Sequence, residues 1–220
     1  DTIVGGVSEV FGTNFDDTLR GGSGNEFLVG LNGNDLLAGG AGNDRLDGGG
    51  GIDRVDYSGA AGAVFVDLGF ATADDGSGGV DTLFNIEEVV GTGFNDTLFG
   101  DWANNVLVGG LGNDFLRGGA GNDVLDGGVI ADLQSDEGFR DNDRVDYSTA
   151  MWGVNVNLAT GQASDDGEGG MDALSGIESV TGSMFDDLFT GSNTTWTENF
   201  QGGGGNDHIE GGGGFDRAEY

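Results

Sequence analysis

Six consecutive residues, Gly-Gly-Ala-Gly-Asn-Asp, occupy positions 39–44 and recur unchanged at 118–123. They belong to a nonapeptide, Gly-Gly-x-Gly-x-Asp-x-apolar-x, whose variants fill residues 21–56, resume over 91–126 and return over 202–219. A unit this short cannot bury an apolar face alone, so it must stack on its neighbours as a solenoid.

The letters follow from the physics of one turn. Glycines allow positive φ and a tight curl, which brings the turn carbonyls and the acid at position six to one side. Positions seven to nine form a short strand with position eight turned inward. That position holds Leu19, Leu28, Leu37, Leu46, Val55, Leu98, Leu107, Leu116, Leu125, Val145, Phe189 and Ile209. One apolar stripe is a thin core, and burial alone leaves it marginal. An acid at a fixed place in every glycine turn points to a hard cation.

Composition sharpens this. The 220 residues include 39 acids against 7 basic residues, a formal net charge of -32, with no Lys, Pro or Cys. Uncompensated, such a chain repels itself into a coil. Its acids are spaced at fixed intervals, unlike the runs of a disordered acidic tail. The missing basic surface disfavours nucleic acid and anionic lipid as partners. No apolar run reaches the roughly 20 residues of a membrane span, and no signal-peptide pattern opens the stretch. Without Cys there is neither a disulfide framework nor a thiolate metal site.

A longer period overlies the short one. Asp-Arg-Val-Asp-Tyr at 53–57 returns at 143–147, and nearly so at 216–220. Each of the first two leads into a non-repeat segment (57–75 and 147–166) containing an alternating strand, Val64-x-Val66-x-Leu68 and Val154-x-Val156-x-Leu158. Degenerate nonapeptides follow at 76–84 and 167–175, then short strands at 85–90 and 176–181. The reading is three segments, 1–90, 91–181 and a truncated 182–220, cut from a longer array, with 1–20 as the tail of a preceding module.

These motifs resemble the RTX (repeats-in-toxin) family of secreted, hemolysin-type calcium-binding proteins, as does Asp-Thr-Leu-x-x-Ile-Glu-x-Val at 81–89. The resemblance covers nearly the whole chain. It implies an all-β fold, a right-handed parallel β-roll with two nonapeptides per turn and multiple Ca2+ ions. Each ion is implied to sit between repeats 18 residues apart, on carbonyls of positions two and four with the acid of one repeat, and of positions one and three with the acid of the next but one. Six oxygens suit Ca2+.

Carried onto this chain, one edge pairs Asp17 with Asp35 and Asp35 with Asp53, with carbonyls from Gly33, Gly48 and Gly50. The other pairs Glu26 with Asp44, helped by Gly22, Gly24, Gly39 and Ala41. Farther on, Asp96 pairs with Asp114 (Gly109, Leu111) and Asn105 with Asp123 (Gly118, Ala120). Asp187 pairs with Asp207 (Gly202, Gly204) at 20 residues through a bulged turn over 191–201, and Asp216 continues the series. Asp81 with Asp96, and Asp172 with Asp187, are further pairs 15 apart. Glu26 is longer by one methylene and Asn105 lacks charge, so their sites are expected to be weaker. About 11 extra residues interrupt the repeat between Gly128 and Asn142, which leaves the edge from Asp114 to Asp143 open.

Plainer readings accompany these. One turn Asp by itself caps its own backbone; an array with regular partners favours ligation. His208, the single histidine, falls on an outward position, as do Arg45, Arg54, Arg144 and Arg217, which are expected to neutralise nearby acids. One His leaves no Ser-His-Asp set, the absence of Lys excludes a P-loop, and the EF-hand-like start at Asp141 lacks its Gly and closing Glu. Apolar residues at outward positions (Phe27, Val29, Leu36, Phe99, Val106, Val108, Phe115) are expected to be covered by the Val64 or Val154 strand in a second small core; a sticky face for a neighbouring chain is the alternative.

The expected function is therefore a calcium-binding β-roll region of a large secreted bacterial protein, extracellular or at the cell surface. It folds on Ca2+ after export, has a structural or adhesive role, and is not an enzyme. The resemblance implies the type I secretion machinery as a partner during export. Two alternatives stand beside it. One is the C-terminal roll of a secreted enzyme, similar to a serralysin-type protease or mannuronan epimerase; the other is a surface on which Trp102, Trp152 or Trp196 stacks on glycans.

Overall fold

Alternation of small and apolar residues after each glycine turn makes short strands whose middle residue alone points inward. A computed structural model describes residues 8–128 and 141–220; residues 1–7 of the expected leading tail, and 129–140 of the insertion, lie outside the described residues. Among those described there are 23 strands and no helix.

Successive strands alternate between two sheets. Thr18–Arg20, Leu36–Ala38 and Arg54–Asp56 follow one another in one sheet, Phe27–Asn32 and Arg45–Gly50 in the other. Pairing is parallel with an 18-residue step: Leu19 lies opposite Leu37, and Leu28 opposite Leu46. Two nonapeptides thus make one turn of a parallel β-roll, and the turns build facing sheets of 11 and 12 strands. The sheets run without a break across residues 90/91 and 181/182, through the pairing of Glu88–Val90 with Val106–Gly110 and of Ser179–Thr181 with Asn199–Gln201.

The core is the seam between the two ladders of position-eight side chains. In the smaller sheet Leu37, Val55, Val89, Leu107 and Leu125 lie in register. In the larger one Val66, Leu98, Leu116, Val145 and Val180 do the same. Each buried leucine or valine adds roughly 1.5–3 kcal/mol relative to exposure. Every inward residue expected from the sequence is buried except Ile209, which is partly so. The rings of Phe189 and Phe200 stack at 6.0 Å across the seam.

The non-repeat segments differ from expectation. They do not fold over the outward apolar residues to close a second core. Val64 and Val66 enter the main core, and strand Phe65–Asp67 joins the larger sheet, parallel to Thr97–Phe99. It then turns back through Thr72–Asp74 and Val80–Phe84 in antiparallel pairs. Asn155–Asn157, Gln162–Asp165 and Asp172–Ser175 repeat this meander in the smaller sheet. A period-2 strand with a buried face gains more from the existing seam than from a new one. The outward rings instead pack on each other and on arginine. Phe99 meets Phe65 at 5.5 Å and Phe115 at 5.9 Å, while the guanidinium of Arg117 sits 4.6 Å above Phe99.

The two meanders lie on opposite sheets, which has a geometric consequence. Each adds two strands to one side, about 10 Å of sheet at the usual interstrand spacing. The second meander evens the offset left by the first, and parallel stacking resumes after it, by 20 residues from Phe189 to Ile209 and by 18 from Phe200 to Ala218.

Candidate metal centres along the roll edges

Position six immediately precedes each strand, so the acids line both edges of the roll. A ladder of hydrogen bonds holds them there. The backbone N–H of Asp17 donates to Oδ1 of Asp35 at 2.7 Å, and that of Asp35 to Oδ1 of Asp53 at 2.8 Å. On the opposite edge Glu26 N–H donates to Asp44 Oδ1 and Asp96 N–H to Asp114 Oδ1, at 2.7 and 2.8 Å. Asn105 N–H reaches Asp123 Oδ1 at 2.8 Å and Asp187 N–H reaches Asp207 Oδ1 at 3.0 Å, so the 20-residue step keeps the same bond. Asp114 N–H donates to Asp143 Oδ1 at 2.7 Å across the insertion, and that edge is continuous. Glu198 N–H donates to Asp216 Oδ1 at 3.1 Å.

That ladder uses one carboxylate oxygen and strands the other. Oδ2 of Asp35, Asp44, Asp53, Asp114 and Asp123 is buried without any hydrogen-bond partner, in residues no more than 2% exposed. Burying an unpaired charged oxygen is costly, and five such positions in register are not random packing faults. The glycines show what surrounds the stranded oxygens. A Cβ built on Gly30 would run into both Asp35 Oδ2 and the carbonyl oxygen of Gly48. At Gly48 it would lie 2.6 Å from Asp53 Oδ2 and against the Asn85 carbonyl oxygen. The first residue of each repeat must therefore lack a side chain because carboxylate and carbonyl oxygens converge on that space. At positions two and four of the turn 39–44, Gly40 and Gly42 take φ of 97° and 121°, which only glycine adopts without strain. Among the described residues no three acidic or imidazole side chains gather at one point; the other oxygens at these corners are backbone carbonyls, such as that of Gly48 beside Asp35 Oδ2. Carboxylate and carbonyl oxygens are hard ligands that fit calcium and offer nothing to a soft metal.

Burial drives the electrostatics. Desolvation is the largest cause at every shifted acid; at the ladder acids the hydrogen bond from the neighbouring backbone N–H opposes it, and nearby carboxylates add to the rise. Burial pushes Asp114 up to about 8, Asp123 and Asp143 to about 7, and Asp44 and Asp53 to about 6. A bound dication reverses that preference.

Several turns close themselves instead. Where position two is Thr or Ser, its N–H and hydroxyl satisfy the acid. Thr92 donates from N to Asp96 Oδ2 at 2.5 Å and from Oγ1 to Oδ1 at 2.9 Å; Ser183 does the same to Asp187 at 2.7 Å for both bonds. Thr13 treats Asp17 alike. At these turns the plainer capping role is present. Glu26 folds back so that Oε2 accepts the Gly22 N–H at 3.0 Å, using its extra methylene to cap. Asn105 accepts the Asp101 N–H at 2.8 Å and has no stranded atom.

Two expected pairs are not brought together. Asp81 stacks on Asp44, whose N–H donates to Asp81 Oδ1 at 2.9 Å, and two meander strands separate it from Asp96. Asp96 instead accepts the Val64 N–H at 2.8 Å. Asp172 likewise follows Asp123 and is separated from Asp187, which accepts the Val154 N–H. The 15-residue count misled because the meander occupies the intervening level of the roll. The second oxygens of Asp81 and Asp172 are taken by the hydroxyls of buried Tyr57 and Tyr147, at 3.0 and 2.8 Å.

Sequence reasoning missed Glu87, Glu178 and Glu198, which occupy position six at three levels. Asp53 N–H donates to Glu87 Oε2 at 2.8 Å and Asp143 N–H to Glu178 Oε2 at 3.0 Å; Glu198 accepts the Ser192 N–H. The signal was present: Val89 and Val180 sit two residues after Glu87 and Glu178, as the inward residue does after each Asp.

Of the arginines, Arg54 pairs with Glu88 and Arg45 with Asp47, whereas Arg144 and Arg217 form no ion pair among the described residues. His208 faces outward beside Glu210 at 3.1 Å. Trp102 and Trp152 are exposed, and Trp196 lines a cavity of about 400 Å³ with Glu178 and Glu198.

The family model for the RTX calcium-binding nonapeptide repeat (4 copies) matches residues 11–25, 20–55, 86–116, 99–129 and 198–218, together half of the chain. No curated protein matches it. Among solved structures it is similar to the crystal structure of the extracellular lipase LipA from Serratia marcescens, at 18% identity and a TM-score of 0.33. That match covers 87% of this chain and 34% of the lipase, so the chain spans about a third of its length.

Proposed function

From the premise that this chain belongs to the RTX calcium-binding nonapeptide repeat family, we propose that it is a structural or adhesive segment of a larger secreted protein, folded by calcium after export. The observation that carries this reading is the row of stranded, buried Oδ2 atoms at Asp35, Asp44, Asp53, Asp114 and Asp123. A dication supplies the positive charge and coordination these oxygens lack.

The chain's own residues do the rest. Position-six acids fix one oxygen on the ladder, the glycine carbonyls face the other, and position-eight side chains lock the register. Without the cation, burying so many like charges opposes the thin core, and the chain, with its net charge of -32, expands. An unfolded chain in a calcium-poor cytosol suits passage through a type I secretion channel, and calcium outside couples binding to folding. No catalytic role is assigned: the edge acids are committed to the ladder, and the single histidine lies exposed against Glu210.

Circular dichroism tests this reading. In EDTA the far-UV spectrum is expected to be that of a coil, with the β signal returning on calcium and not on magnesium, which keeps its waters and demands tighter geometry. An ordered β spectrum that survives exhaustive chelation at neutral pH would overturn it.

A further inference from the structure

Among the described residues one stranded oxygen lies outside every position-six acid. Asp166 sits at the tip of the second meander, between strands Gln162–Asp165 and Asp172–Ser175, and is 1% exposed. Its Oδ1 accepts the N–H groups of Glu168, Gly169 and Gly170 at 2.7, 2.8 and 2.9 Å. Those three bonds build the tip and leave Oδ2 buried with no partner.

That oxygen is aimed at the roll. A Cβ built on Gly170 would lie 2.6 Å from Asp166 Oδ2 and against the carbonyl oxygen of Gly121. Gly121 is the fourth residue of the repeat 118–126, whose own acid, Asp123, also strands a buried Oδ2. The charge of Asp166 acts on Asp123. At this level both oxygens of the regular partner, Asp172, are already engaged: Oδ1 accepts the Asp123 N–H and Oδ2 the Tyr147 hydroxyl. The nearby cation, Arg117, is held by Asp146.

The first meander repeats the arrangement. Fully buried Asp75 caps its tip through Oδ1, which accepts from Ser77 and Gly79 at 2.7 and 2.8 Å. Its Oδ2 lies 2.8 Å from the Cβ position of Gly79, which also abuts the Gly42 carbonyl, and Asp44 strands its Oδ2. Asp81, like Asp172, is occupied by a ladder N–H and a tyrosine hydroxyl. Two differences remain: Oδ1 accepts two N–H groups here against three at Asp166, and the Gly42 N–H makes a long bond to Asp75 Oδ2 at 3.2 Å.

We propose that each meander tip supplies a calcium ligand from outside the repeats, so that Asp166 with Asp123 and the Gly121 carbonyl, and Asp75 with Asp44 and the Gly42 carbonyl, each hold one ion. The tyrosine hydroxyl engages the regular partner acid at these two levels, and the tip aspartate supplies a further carboxylate oxygen. The inference rests on the calcium-roll reading above and adds ligands that the nonapeptide pattern does not contain.

The test counts calcium per chain by equilibrium dialysis with atomic emission on the full chain. Asn keeps the Oδ1 that caps each tip, so Asp166→Asn is expected to lose one ion and Asp75→Asn/Asp166→Asn two. Asp165→Asn, which removes the same charge from an exposed neighbour, is expected to lose none. If Asp166→Asn does not regain the parent's β signal in saturating calcium, Asp75→Asn alone reads the same loss of one ion. A double variant that binds as many ions as the parent overturns this inference alone; a parent that binds none overturns the calcium roll itself.

Discussion

The backbone N–H of Asp114 donates to Oδ1 of Asp143 at 2.7 Å across 29 residues, the bond that Asp96 makes to Asp114 across 18. Phe115–Arg117 and Arg144–Asp146 pair as parallel neighbours, with Leu116 opposite Val145. An insertion between the two turns leaves the ladder bond unchanged, so spacing in the chain is subordinate to register in the sheet.

Asp114 is the strongest probe of that edge, since burial pushes it up to about 8. Asp114→Asn keeps Oδ1 for the Asp96 N–H and removes the charge. The calcium concentration at the midpoint of folding is expected to rise by on the order of tenfold, because fewer ligand charges weaken such sites. In chelator at neutral pH the variant is expected to show no less β signal than the parent, since it carries one buried charge fewer. A calcium midpoint unmoved in a titration followed by circular dichroism contradicts this.

The pH dependence of the calcium-free chain follows from sign. Asp44, Asp53, Asp123 and Asp143 have folded-state values of about 6 to 7, and Asp114 about 8, against 3.8 for a free carboxyl. The folded form thus binds more protons, and its stability is fully present below about 3.8 and lost as pH rises through the 6-to-8 window. In EDTA, acidifying from pH 8 to 4.5 is expected to increase β signal. With calcium present the dependence inverts, since protons compete for the same oxygens. A chelated chain whose order rises with pH would refute the assignment.

Thr92 closes its turn without metal. Thr92→Val removes the hydroxyl bonds to Asp96 and to the Phe94 N–H, 2.9 and 3.0 Å long. A loss of about 1 kcal/mol is expected for a polar bond of this kind, measured by urea denaturation in saturating calcium, with the number of bound ions unchanged. A drop in ion count would assign this turn to calcium instead.

Leu116 is fully buried between Leu98 and Val145 in the larger sheet. Leu116→Ala is expected to cost about 2–5 kcal/mol, the range for a cavity in a core that cannot collapse. Less than 1 kcal/mol by denaturation in calcium would mean that the seam is not the core.

Much of the edge was readable before the fold. Asp35, Asp44, Asp53 and Asp123 were placed by period alone, because a strand that turns one residue in three inward leaves its acid at a fixed corner. Glu87 and Glu178 were not, since no run of glycines announces them. Positive φ at Asn85 and Gly176, 52° and 61°, supplies the turn instead. The role of Tyr57 and Tyr147 was equally hidden: each reaches an acid 24 or 25 residues away through the seam.

By itself the chain of letters determined the stacking of the repeats as a solenoid, its inward stripe and its appetite for a hard cation, since all three follow from local sterics and a repeat too short to stand alone. The roll and its 18-residue step were expected only from the resemblance of those repeats to a known family. The tertiary structure decided which corners keep a stranded oxygen, which are closed by Thr92 or Ser183, and which sheet each meander enters. Those outcomes depend on which turn lies above which, and stacking order is set by the cumulative count of half-turns between distant segments, a quantity no local pattern carries.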